Sequence, residues 1–375
     1  MSGPLSDVPA PPSGLLNVAA LEDQAREALG EMAYAYYSGG AEDERLIEEN
    51  VTAWLRWRLY PRVLLDVSTV STAASVLGSP VSMPIVIAPT ALHRLAHPDG
   101  ELATVRAAAD SGAAMILSSL ATTDLDDVAA AAPDAVRLMQ VYILKDRGRT
   151  AEMVRRAVAA GYRALVFTVD VPVSGLRTRE VERGVRLPDE LGLPNLADPS
   201  SGHGPGWGFM AQVVQEFDPA LSVDDIAWLA DLSGLPVVVK GVCRGDDALR
   251  CADAGAAGVV VSNHGGRQLD DALPTASSLP AVVDAVGGRM EVYVDGGIRR
   301  AGDVMKALAL GADAVLIGRP VLWALATGGS AGVRTLMTIF GAELARVMAL
   351  CGVTDIGGID RSLVRAVDGR PGERP

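Results

Sequence analysis

The chain has 375 residues, 49% of them hydrophobic, with 46 acidic against 33 basic side chains and a net charge of −13. Such a length and apolar fraction suit one large domain or two ordinary ones, and they exclude a globally disordered chain. The acidic balance argues against a nucleic-acid or anionic-membrane partner, so any bound anion must be met by a local cationic site.

In chain order, residues 1–14 are rich in proline and serine and read as a disordered tail without a charged-then-apolar signal pattern. From Val18 to about Glu49 the pattern is helical, with Leu21, Ala25, Ala28 and Leu29 spaced for one buried face. Ser38-Gly39-Gly40 interrupts it, and residues 54–80 read as an entry segment. A regular alternation begins at residue 84. Apolar, largely β-branched runs occur at Ile85–Ala88, Ala114–Leu117, Val136–Val141, Ala164–Val169, Val237–Val239, Gly258–Val261, Val292–Val294 and Ala314–Ile317. Alanine-rich, helix-like stretches fill most intervals, among them Gly100–Ser111, Thr150–Ala160, Asp246–Ala254 and Ala301–Leu310. Eight buried strands alternating with helices predict a (β/α)8 TIM barrel, an α/β fold, here with an N-terminal helical extension. No GxGxxG follows the first strand, which counts against a dinucleotide-binding open sheet. The glycine-rich gap at about 178–221 reads as a lid excursion after strand four. Residues 15–365 are then one domain, with barrel strands over about 84–320 and a second tail at 366–375. The apolar helix around Val333–Leu350 closes the barrel or joins subunits.

In a barrel of this kind functional residues lie just after the strands. The strand ends read, in order, Pro89-Thr90, Ser118-Ser119, Gln140 with Tyr142, Thr168 with Asp170, Lys240, Asn263 with His264, Asp295-Gly296-Gly297 and Gly318-Arg319. A lysine and a histidine ending all-apolar strands are costly unless they are paired. His264 and Arg267 stand three residues apart on a glycine-loosened strand end. An imidazole accepts a proton near neutral pH and a guanidinium holds a carboxylate through two parallel hydrogen bonds, so the pair points to chemistry on a small organic acid. On the last two strands, Gly296, Gly297 and Gly318 let backbone N–H groups approach an anion while Arg299 and Arg319 add charge, a recurrent barrel phosphate site. Cys243, Cys251 and Cys351 lack metal-ligand spacing, as do His93, His97, His203 and His264, so no metal centre is expected. The sparse cysteines suit a reducing cytoplasm, and no apolar run approaches membrane-spanning length.

The ordered motifs Tyr36-Tyr37-Ser38-Gly39-Gly40-Ala41-Glu42-Asp43, Ile87 to Ala91, Ala96 to Glu101, Gln140-Val141-Tyr142, Thr168-Val169-Asp170, Val239-Lys240-Gly241, Ser262 to Asp270, Asp295 to Arg299 and Ile317 to Pro320 carry a resemblance. From about Leu16 to about Leu363 the chain resembles the FMN-dependent α-hydroxy acid oxidase and dehydrogenase family. The resemblance implies oxidation of an L-2-hydroxy acid to the 2-oxo acid, with FMN as cofactor and oxygen as final acceptor, giving hydrogen peroxide. A family dehydrogenase passing electrons to a quinone or another acceptor is the alternative. A homotetramer is implied as well.

By the same resemblance His264 removes a proton from the substrate and Asp170 stabilises its imidazolium. Arg267 and Arg177 hold the carboxylate with Tyr36, and Tyr142 bonds the hydroxyl or carbonyl oxygen. Lys240 lies near flavin N1–C2=O, where a fixed ammonium stabilises the reduced ring. Ser118, Gln140 and Thr168 bond the ring edge, and the backbone of Pro89, Thr90 and Ala91 lines its N5 side. Asp295 binds the ribityl chain, and Arg299, Gly318 and Arg319 the phosphate. Ser262, Gly296 and Gly297 complete the cofactor set. His97 is expected to be structural, and His93 and His203 have no assigned chemistry. Leu120 stands where plant-type glycolate oxidases carry a tryptophan, Leu144 where they carry a second tyrosine, and Ser174 at a bulkier position. These departures imply a larger, more apolar pocket suited to lactate, a longer aliphatic acid or a mandelate-like acid.

Overall fold

The computed structural model describes residues 2–4, 18–196 and 209–367. Eight parallel strands close into one barrel: β1 (Ile85–Ile87), β2 (Ala114–Leu117), β3 (Arg137–Val141), β4 (Leu165–Thr168), β5 (Val237–Val242), β6 (Gly258–Val261), β7 (Glu291–Val294) and β8 (Ala314–Ile317). β8 pairs back onto β1 through Leu316 opposite Val86. The expected (β/α)8 fold is the observed one, with strand bounds shifted by one to three residues at the ends.

Side chains alternate across a strand, so each strand buries one face inside the barrel and the other under the helices. Val86, Ile116, Leu138, Val166, Val238, Val260, Tyr293 and Leu316 pack together inside, with Val76 and Val81 from the hairpin Ala74–Val76/Ser79–Val81. The alternate residues, such as Ile87, Leu117, Phe167 and Val239, pack outward with the helices. Each fully buried aliphatic side chain contributes roughly 1.5–3 kcal/mol. Two residues further along, the same inward face carries Ala88, Ser118, Gln140, Thr168, Lys240, Ser262, Asp295 and Gly318. A polar layer therefore caps an apolar plug, and strand periodicity alone places it at the carboxyl mouth.

The N-terminal extension forms helices Val18–Ala28, Glu31–Ser38 and Arg45–Ala53. Leu21, Ala25 and Leu29 are buried, whereas Ala28 faces solvent because the first helix ends there, before Leu29-Gly30. Within the stretch that reads as a tail, Ser2–Pro4 forms a short strand antiparallel to Thr69–Ser71, backbone pairing that needs no apolar pattern; residues 5–17 lie outside the described residues. The excursion after β4 has helical flanks, Thr178–Glu182 and Phe209–Val214, while residues 197–208, including His203, lie outside the described residues. The helix Arg319–Leu350 is kinked at Gly329 (φ 55°). A Cβ there would come within 2.9 Å of His97 Nε2, so His97 fills a structural notch. Beyond the kink Val333, Met337, Phe340, Leu344 and Met348 join the chain's own core. Val364–Ala366 pairs antiparallel with Trp57–Leu59 and ties the end of the chain to its entry segment.

Candidate active site

The carboxyl mouth of the barrel holds an open cleft. Pro89, Thr90, Ala91, Ser118, Lys240, Asp295, Gly296, Gly297, Gly318 and Arg319 line it from the strand ends. Tyr36 reaches in from the N-terminal extension, and Tyr142, Arg177, His264, Arg267 and Arg299 complete the walls. Gln140, Thr168, Asp170 and Ser262 stand behind this surface and orient it.

His264 sits in left-handed backbone (φ 57°), followed by Gly265 and Gly266 at 66° and 76°. A β-carbon in that conformation is strained, and the loop is held by amide bonds between the buried Asn263 and Asn50 at 2.8 and 3.0 Å. His264 Nδ1 meets Asp170 Oδ1 at 2.9 Å. Burial pushes the His264 imidazole below its ordinary value, an effect that the Asp170 carboxylate offsets only in part. Asp170 is itself held below the usual carboxylate range: burial opposes its charge, but His264 and Lys240 outweigh that. The resting pair is thus neutral imidazole and carboxylate, with Nδ1–H donated to Asp170 and the Nε2 lone pair left as the basic site.

Lys240 Nζ donates to Ser262 Oγ at 2.9 Å and lies 3.2 Å from Asp295 Oδ2. Burial works against its charge, yet Asp295 and Asp170 raise it above the ordinary lysine value. Gln140 Nε2 donates to Thr168 Oγ1 at 3.1 Å, and its Oε1 accepts from the Ser119 backbone N–H at 3.0 Å and from Ser118 Oγ at 3.4 Å. The amide is therefore fixed in one orientation.

Two pairs of arginines mark the cleft. At one end Arg319 donates to the carbonyls of Tyr37, Gly265 and Gly39, while Arg299, among the described residues, donates from its guanidinium to its neighbour Ile298 alone. Neither has a carboxylate ion pair among the described residues, and burial with like charge nearby pushes Arg319 down to about 9. Gly297 (φ 76°) lies against Asn50, whose carbonyl oxygen a Cβ would meet at 1.9 Å. At the other end Arg177 and Arg267 share Glu180: Arg267 Nη2 meets its Oε1 at 2.7 Å and Arg177 Nη1 at 3.6 Å. Arg267 also donates to the carbonyls of Tyr36 and Gly39 at 2.7 Å and lies over the Tyr36 ring. Tyr142 stacks on Phe217 at 4.2 Å, and burial raises its hydroxyl well above the ordinary tyrosine value.

Sequence reasoning missed Glu180, which with Glu182 on a short helix looks solvated, and Phe217 with Val214, which come from the far end of the lid excursion. Of the three departures, Leu120 lines the cleft, but Leu144 and Ser174 do not. Leu144 is bridged to Phe217 behind the wall, and Ser174 Oγ turns to the Gly175 carbonyl. Leu120, Val171, Val214 and Phe217 supply the apolar lining instead.

Fold and cleft together define a class: a (β/α)8 barrel able to hold a phosphate-bearing cofactor next to a small acid. The chain belongs to the FMN-dependent dehydrogenase family, whose model matches residues 25–366. It is 48% identical over 359 residues to an L-lactate oxidase of Nostoc sp., covering 94% of this chain and 98% of the relative. It is 45% identical over 357 residues to 2-hydroxyacid oxidase 1 of Mus musculus, covering 94% and 96%. Among solved structures, mandelate oxidase with (S)-4-hydroxymandelic acid superposes with a TM-score of 0.89 at 41% identity, covering 94% of this chain and 99% of that one.

Proposed function

We propose that the chain is an FMN-dependent (S)-2-hydroxy-acid oxidase that converts R–CH(OH)–COO⁻ and O2 to R–CO–COO⁻ and H2O2. The observation that carries this reading is one cleft presenting His264, backed by the Asp170 carboxylate, between a carboxylate clamp and a second arginine pair that has no carboxylate ion pair among the described residues. FMN suits the residues present. Among the described residues Arg299 and Arg319 have no carboxylate ion pair and the buried Asp295 Oδ1 has no hydrogen-bond partner, which leaves it ready for a polyol hydroxyl, and the Gly296–Gly297 and Gly318 backbones can approach a phosphate. Ser118, the Gln140–Thr168 pair, the Pro89–Ala91 backbone and Lys240 with Ser262 would surround the ring. When bound, FMN supplies the two-electron acceptor.

The chain's own residues do the rest. Arg177 and Arg267, with Tyr36, orient the carboxylate. Tyr142, kept protonated by burial, donates to the substrate oxygen. His264 Nε2 takes the proton released in the oxidation, and Asp170 stabilises the imidazolium so formed. The ammonium of Lys240 holds positive charge on the face where negative charge accumulates.

The apolar wall of Leu120, Val171, Val214 and Phe217 supports an acid with an aliphatic or aromatic side chain, such as lactate, a longer homologue or a mandelate-like acid. Anaerobic mixing of the yellow protein with a panel of L-2-hydroxy acids tests this: such acids should bleach the flavin fastest, and air should then yield peroxide. Glycolate as the best substrate would overturn the side-chain reading, and absence of peroxide would favour the dehydrogenase alternative.

Residues 15–365 are proposed to form a single domain. A homotetramer is proposed on the family likeness, to be checked by light scattering. A cytoplasmic location is proposed on three unpaired cysteines, to be checked by fractionation. No helix among the described residues is long and apolar enough to cross a membrane.

A further inference from the structure

The helix Thr178–Glu182 is amphipathic the wrong way round. Glu180 is its buried residue, at 4% exposure, while the neighbouring Val181 is 44% exposed. A buried carboxylate is costly unless paired, and Glu180 is paired with both clamp arginines. The Arg267 guanidinium is already anchored by two backbone carbonyls, and Arg177 by the Arg267 carbonyl and Gln268 Oε1, each at 3.4 Å. Position is thus secured without Glu180. What Glu180 adds, with no other carboxylate ion-paired to either guanidinium among the described residues, is a negative charge. Burial and the charge of Arg267 both work against the Arg177 guanidinium, and Glu180 works for it.

We propose that Glu180 sets the clamp to one net positive charge, matching it to a single carboxylate and letting the product leave. Two uncompensated guanidiniums in a dry cleft would hold any carboxylate too long and would prefer a dianion. With Glu180 behind them, a monoanion completes the charge balance and a second negative charge gains nothing. Glu180 does not line the cleft, so it sets specificity through the charge it places behind Arg177 and Arg267 and is not a catalytic residue. This inference rests on the proposed oxidation of a 2-hydroxy acid at the same site.

The test is Glu180→Gln, which keeps an acceptor for Arg267 and removes only the charge. Pyruvate and oxalate are titrated into the FMN-loaded protein by calorimetry, and kcat and KM are measured alongside. The expected result is roughly tenfold tighter pyruvate and roughly hundredfold tighter oxalate, since the added attraction scales with ligand charge, with kcat and KM both lowered. Glu180→Ala should repeat the shift should Glu180→Gln fail to fold, and Glu180→Asp should hold both affinities near wild type. Unchanged affinities, or equal weakening of both ligands, would overturn the proposal. Wild-type protein that neither binds pyruvate nor is bleached by any 2-hydroxy acid would overturn the parent reading and this one with it. A competent wild type whose Gln variant lacks the charge-scaled gain sinks the role of Glu180 alone.

Discussion

The two arginine pairs of the cleft are built to opposite specifications. Arg299 and Arg319 are half-buried against backbone carbonyls with no carboxylate ion pair among the described residues, whereas Arg177 and Arg267 close around Glu180. Leaving a buried cation uncompensated costs stability until an anion arrives. That is a tolerable design for a cofactor phosphate that binds once and stays. A substrate that comes and goes in every turnover calls for a clamp already balanced when empty. On the roles proposed for them, the difference between the pairs is one of residence time, written in charge.

The largest effect should separate chemistry from cofactor retention. His264→Ala is expected to keep its FMN yet slow anaerobic flavin reduction by roughly a thousandfold or more; normal bleaching in stopped flow would sink the base assignment. Arg299→Met should do the reverse. It is expected to weaken FMN binding by about a hundredfold while a saturating supply of FMN restores the rate, with flavin fluorescence on dilution as the readout. Loss of substrate affinity without loss of FMN in this variant would erase the distinction between the ends.

The base end should also show its own pH dependence. His264 must be neutral to act, and burial holds it below the ordinary imidazole value of 6.5. The reduction rate should therefore stay level as pH falls past 6.5 and drop only through the lower value, so an acid limb centred above 6.5 would contradict the neutral resting pair. The smallest effect concerns Leu120. Leu120→Trp should shift preference toward smaller acids by a few-fold in kcat/KM with FMN retention unchanged.

The barrel was legible because eight β-branched runs are unambiguous when buried on both faces, and because inward periodicity carries an apolar residue such as Val238 two steps on to Lys240. His264, Arg267 and the strand-end glycines were legible for the same reason: chemistry sits where strands end. Glu180 was not, since its partners are distant in sequence and nothing local distinguishes an inward glutamate on a five-residue helix. The pocket wall was only partly legible. Leu144 lies two residues from Tyr142 in sequence, but Phe217 comes from the far end of the excursion and takes the place in the wall that Leu144 was expected to fill. The early break of the first helix turned Ala28 outward, a matter of where Gly30 falls rather than of periodicity.

The strap formed by residues 36–50 has a consequence for how the molecule is made. Its anchors are far along the chain: Asn50 pairs with Asn263 across 213 residues, Gly39 accepts from Arg267 across 228 and from Arg319 across 280. During synthesis these residues leave the ribosome early, and the last of their anchors, Arg319, emerges only after the last barrel strand. Contacts of such long range form late in folding. The strap that carries Tyr36 therefore reaches its full set of anchors only after Arg319 has been synthesised.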